Sequence, residues 1–180
     1  MRIPKDKSAL LVIDIQERLF PFISENEKLV KYLPILIEGM KVLEVPIFVT
    51  EQYVKGLGET IATVARLTEG IPRTEKMAFS CCDEPTFMEK LALSGKDHII
   101  IAGIESHVCV LQTTLDLLKN GFHPIVVEDC VSSRRLNDKA IAIERMRREG
   151  AIITTYESLL FELLRYSGTE QFKAISKLVK

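Results

Sequence analysis

The chain has 180 residues, 47% of them hydrophobic and 27% charged, the make-up of one ordinary globular domain with a sizeable core. Its 24 Lys+Arg and 25 Asp+Glu give a formal net charge of −1, with no basic stripe carrying interleaved aromatics, so nucleic acid is not an expected partner. The longest apolar runs, such as Ala9 to Ile13 and Ile99 to Ile104, are too short to span a bilayer.

Met1-Arg2-Ile3-Pro4-Lys5-Asp6-Lys7 lacks the apolar core of a signal peptide. The four cysteines, Cys81, Cys82, Cys109 and Cys130, have no disulfide-framework spacing. A reducing cytoplasmic setting is the expectation.

In chain order, Ala9 to Asp14 reads as a buried strand ending on a carboxylate. Glu27 to Leu43 repeats apolar residues at helical period, with Asn26 or Ser24 as the expected cap and Pro34 as an expected kink or lost hydrogen bond. Pro46 opens a second strand, Ile47 to Thr50, followed by a turn at Gly56-Leu57-Gly58 and a short helix from about Glu59 to Leu67. Gly70-Ile71-Pro72 begins a stretch read as irregular through Lys76 to Cys82. Pro85 suits the first position of a helix to about Leu93.

The second half alternates more cleanly. A strand, His98 to Ala102, precedes a helix from about His107 to Lys119, closed by Asn120-Gly121. A strand from Pro124 to Glu128 leads to Asp129-Cys130-Val131-Ser132-Ser133. A helix capped by Asn137 or Asp138 runs to Glu149, and strand Ala151 to Thr154 precedes helices at Glu157 to Leu164 and Thr169 to Val179. This alternation predicts a single α/β domain over residues 1–180, with a parallel sheet covered on both faces.

Open parallel sheets bind ligands beyond the carboxyl ends of their strands, near the switch in strand order. That rule nominates Asp14, Glu51-Gln52-Tyr53, the run Gly103 to Cys109, and Asp129. Within Ile99-Ile100-Ile101-Ala102-Gly103-Ile104-Glu105-Ser106-His107-Val108-Cys109-Val110, a buried strand gives way to a helix start carrying Cys109. Free N–H groups there favour a thiolate and can hold an oxyanion. On position alone a small core hydrophobe is the more ordinary reading of such a cysteine. A base and a cation elsewhere separate the two readings; Asp14 and Lys76 are the candidates.

Taken together, Leu11-Val12-Ile13-Asp14-Ile15-Gln16, then Lys76 with Phe79-Ser80, then Gly103-Ile104-Glu105-Ser106-His107-Val108-Cys109-Val110 resemble the isochorismatase-like cysteine hydrolases, which include nicotinamidases and N-carbamoylsarcosine amidase. The resemblance spans nearly the whole chain. It implies a Rossmann-like open parallel sheet of about six strands with helices on both faces. It also implies a catalytic Asp14, Lys76 and Cys109, a cis peptide at Ile104-Glu105, an oxyanion hole from the backbone N–H groups of Glu105 and Cys109, and a homo-oligomer.

Two departures narrow it. Nicotinamidases carry a metal-binding Asp-x-His and a further His after the second strand, where this chain has Thr50-Glu51-Gln52-Tyr53. No metal and no cofactor are therefore expected, and Glu51 alone is a poor transition-metal site. Isochorismatases proper lack the cysteine. The run Thr50 to Gly58 resembles the metal-free, isochorismatase domain-containing branch.

The expected activity is hydrolysis of a small amide or related carbonyl C–N bond through a thioester. Phe20, Gln52, Tyr53, Phe79 and His107 are the expected substrate-pocket lining. The alternatives are a redox-responsive thiol protein, with Cys82 resolving an oxidised Cys109, and a vestigial site on a binding or scaffold protein.

Overall fold

An uninterrupted apolar run buried on both faces makes β1, Ser8–Ile13, the centre of the sheet in the computed structural model, which describes residues 2–180. Its neighbours are β2, Ile47–Gln52, and β4, His98–Ile104, both parallel to it. The outer strands are β3, Arg73–Lys76, beyond β2, and β5, His123–Ser132, with β6, Ile152–Thr154, beyond β4. The order β3-β2-β1-β4-β5-β6 is all parallel and reverses direction of progress between β1 and β4.

Helices cover both faces. Alternate residues of β1 divide the core: Leu10 and Val12 pack on one side, and Ala9, Leu11 and Ile13 on the other. The first side is covered by α1 (Asn26–Val42), α3 (Ala62–Leu67), α7 (Tyr156–Leu164) and α8 (Glu170–Leu178); α2, Val54–Leu57, is one turn following β2. The second side takes α4 (Pro85–Ser94), α5 (Leu111–Lys119) and α6 (Leu136–Glu149). Among the described residues no helix is long and apolar enough to cross a membrane.

The structure corrects several sequence expectations. The stretch read as irregular contains β3. This edge strand has no apolar residue, and only its alternation, with Thr74 and Lys76 inward and Glu75 exposed, marks it. β5 runs on past Glu128 through an irregularity opposite Ile101 and Gly103, so Asp129 lies within a strand. Asp129 Oδ1 accepts from Tyr156 N at 2.9 Å and holds the start of α7.

The expected caps do other work. α1 begins after Glu25 in a left-handed conformation, while Asn26 Nδ2 donates to Phe20 O and Ser24 Oγ donates to Arg134 O. α6 begins after Arg135 without a side-chain cap, and Asp138 accepts from Arg135 Nε. Pro34 stands inside α1 with no N–H to give its ladder, in line with the lost hydrogen bond expected of it, whereas Leu57 belongs to α2 rather than to a free turn.

Candidate active site

Asp14 follows the last residue of β1 in a left-handed conformation (φ 52°) and is only 1% exposed. A buried carboxylate requires donors, and it has them from two strands. Thr50 Oγ1 on β2 donates to Oδ1 at 2.7 Å, and Lys76 Nζ at the end of β3 donates to Oδ2 at 2.6 Å. The ammonium also donates to Ala78 O and Phe79 O at 3.1 and 3.0 Å, so its three hydrogens all have acceptors. Burial alone would lower the Lys76 pKa. The negative charge of Asp14, together with its hydrogen bond from the ammonium, outweighs it and holds Lys76 above its ordinary value.

Cys109 reaches the same place from β4. The penultimate residue of the strand is Gly103 (φ 138°), where a Cβ would lie 2.2 Å from Ile13 O, so β4 can approach β1 this closely only with glycine. The Ile104–Glu105 peptide is cis. Ser106–Val110 then forms a π turn leading into α5, in which Glu105 O accepts from Val108 N (3.1 Å) and Val110 N (3.2 Å), passing over Cys109 N. Cys109 is 5% exposed, and its Sγ donates to Gln52 Oε1 at 3.2 Å.

Burial first, then the charge of Asp14, push the Cys109 thiol well above its ordinary range, with Lys76 opposing. The free N–H groups at the helix start pull the other way. Desolvation and an adjacent carboxylate outweigh the partial charge of a few N–H groups, so the resting group is a neutral thiol beside a carboxylate.

A cavity of about 340 Å³ opens over Cys109. Gln52, Tyr53 and Phe79 line it, joined by Leu19, Leu57 and Val108 as apolar walls. Glu105 and Arg134 close one side, with Arg134 Nε donating to Glu105 Oε1 at 2.9 Å. Phe20 and His107 are not among the lining residues. Phe20 packs against the core next to Leu19, which takes the cavity position. His107 Nδ1 lies 3.0 Å from Ser133 Oγ, tying the π turn to the segment after β5. Nothing local to Ser133-Arg134-Arg135 sets Arg134 apart from a solvated arginine, so the sequence offered no signal for it.

The other candidates have structural partners. Glu51 Oε1 accepts from Thr60 N and Thr60 Oγ1 at 2.8 and 2.5 Å. Among the described residues no three His, Cys, Asp or Glu side chains are grouped to hold a metal ion. Burial pushes Cys81 and Cys82 up to about 12, the environment of unreactive thiols. Cys81, and not the Cys82 named as a resolving thiol, is the one beside Asp14 and Cys109.

A family model described as the isochorismatase domain matches residues 8–158. The chain is 40% identical over 184 aligned residues to isochorismatase family protein 1B of Dictyostelium discoideum, spanning 99% of this chain and 89% of that protein. The solved structure of MAR1 ribonuclease from Caenorhabditis elegans matches with a TM-score of 0.93 at 39% identity, over 99% of this chain and 92% of that one. YcaC from Pseudomonas aeruginosa, solved with hexane-2,5-diol and covalent acrylamide, matches with a TM-score of 0.89 at 26% identity, over 98% and 91%.

Proposed function

The chain belongs to the isochorismatase-domain family, and from that premise we propose that it is a cysteine-dependent hydrolase of small amides or related carbonyl C–N bonds. The observation that carries the reading is the buried pairing of Asp14 with Lys76 at 2.6 Å, beside a Cys109 thiol that opens into a cavity. A neutral thiol needs a base only at the moment of attack, and a carboxylate paired with an ammonium supplies one.

Asp14 takes the proton from Cys109 Sγ as the sulfur bonds to the substrate carbonyl carbon. The carbonyl electron pair moves to oxygen, where the backbone N–H groups of Glu105 and Cys109 receive it. As the C–N bond breaks, Asp14 returns the proton to the leaving nitrogen. A water, deprotonated by Asp14, then adds to the thioester, and the C–S bond breaks to restore the thiol. Lys76 holds the Asp14 carboxylate throughout.

The covalent acrylamide in the Pseudomonas aeruginosa YcaC structure is consistent with a reactive nucleophile in a protein of this fold. The Caenorhabditis elegans relative is described as a ribonuclease. For this chain, a cavity of about 340 Å³ with apolar walls and a net charge of −1 favour a small molecule. A polyphosphate chain draws its affinity from several lysines and arginines. The same reading takes the protein to be a homo-oligomer, which light scattering on the purified protein checks.

The test is intact-protein mass spectrometry after mixing with a panel of small primary amides. A transient acyl adduct mapped to Cys109, with ammonia released, supports the proposal. Turnover of an amide by a Cys109→Ala variant at the parent rate rejects it.

A further inference from the structure

Thr50 touches Asp14 twice. Asp14 N donates to Thr50 O at 3.2 Å, and Thr50 Oγ1 donates to Asp14 Oδ1 at 2.7 Å. The residue is 0% exposed and stands opposite Ile13 in the β1–β2 register, so strand pairing leaves its hydroxyl little freedom. On its far side, Cys81 Sγ lies 3.8 Å from Thr50 Oγ1 as a weak donor. A hydroxyl has one hydrogen to give. With a thiol donating into its oxygen, that hydrogen goes to the carboxylate.

We infer that Thr50 is a positioning residue of the proposed reaction: it pins Oδ1 of Asp14 while Lys76 pins Oδ2, fixing the carboxylate plane toward Cys109 Sγ. With only the Lys76 contact, the carboxylate could turn about its last side-chain bond, a soft torsion. Two donors from two different strands remove that freedom. Cys81 then has an assignment that neither a nucleophilic nor a redox role requires, as the group that orients the Thr50 hydroxyl. The titratable groups around the carboxylate are Lys76 at the end of β3, Cys81 in the Cys81–Asp83 turn and Cys109 after β4.

This inference rests on the proposed role of Asp14 as the base for Cys109, but its test needs no hydrolysis. Iodoacetamide labels Cys109 only as fast as the thiol is deprotonated, and peptide mass spectrometry reads that site alone. The rate is measured from pH 5 to 9 for the parent, Thr50→Val and Thr50→Ser. Thr50→Ala removes the same hydroxyl with a smaller side chain and carries the test if the valine variant does not fold.

In Thr50→Val the labelling rate at pH 7 falls at least about fivefold. Thr50→Ser stays within about twofold of the parent, since it restores the hydroxyl. A labelling rate that is unchanged or raised in Thr50→Val overturns the positioning role, as does a serine variant that falls as far as the valine. Either result leaves the acyl-adduct experiment on Cys109 to stand or fall separately.

Discussion

Asp14 Oδ2 and Lys76 Nζ meet at 2.6 Å with neither side chain more than 1% exposed, although 62 positions separate them in the chain. Each charge is tolerable only because the other is there. Breaking such a buried pair by removing one partner costs about 3–5 kcal/mol. Asp14→Ala is therefore expected to lose about that much unfolding free energy in urea. Replacing both residues with apolar ones costs less than the sum of the single changes. Equal and additive losses would mean that the pair is not coupled.

Cys109→Ala removes one sulfur from a turn whose backbone bonds do not use it. Stability is expected to fall only modestly, while hydrolysis of any substrate found falls below about a tenth of the parent. Initial rates beside a thermal melt make the check. Surviving activity together with an unchanged melt sinks the covalent mechanism.

The buried thiols set a pH dependence with a definite sign. Cys81 and Cys82 are pushed up to about 12 by burial, Cys109 and Cys130 are raised as well, and unfolding returns all four to ordinary values. The folded state thus holds these protons more tightly than the unfolded one. Their contribution is complete below about pH 8.5 and is lost as pH rises toward the folded values, at up to about 1.4 kcal/mol per pH unit per thiol. Urea midpoints are expected to fall from pH 8 to 11, and less steeply in Cys81→Ala. A flat profile would contradict the burial of these groups.

Gly103 meets β1 where a Cβ would sit 2.2 Å from Ile13 O, at φ 138°. Both the contact and the backbone conformation oppose any side chain. Gly103→Ala is expected to cost more than about 3 kcal/mol or to give insoluble protein. Near-parental denaturant stability would show that β4 can withdraw from β1 more easily than its packing suggests.

Much of this molecule was legible in its order of residues. Apolar runs of strand length and helical periodicity are local signals, so β1, β2, β4, β6 and the main helices follow from composition within short windows. Asp14, Lys76 and Cys109 were nominated by strand ends and by motifs, which are also local. What the sequence could not carry was anything that depends on partners distant along the chain. β3 is a strand because β2 supplies its hydrogen bonds and the core takes Thr74 and Lys76, not because Arg73-Thr74-Glu75-Lys76 prefers that conformation. The Glu105–Arg134 wall and the substitution of Leu19 for Phe20 in the cavity likewise arise from how loops meet. The protonation of Cys109 belongs to the same class. A helix start by itself favours the thiolate, and only the assembled site, with its burial and the nearby Asp14 carboxylate, reverses the balance, because desolvation and charge act through space and not along the chain.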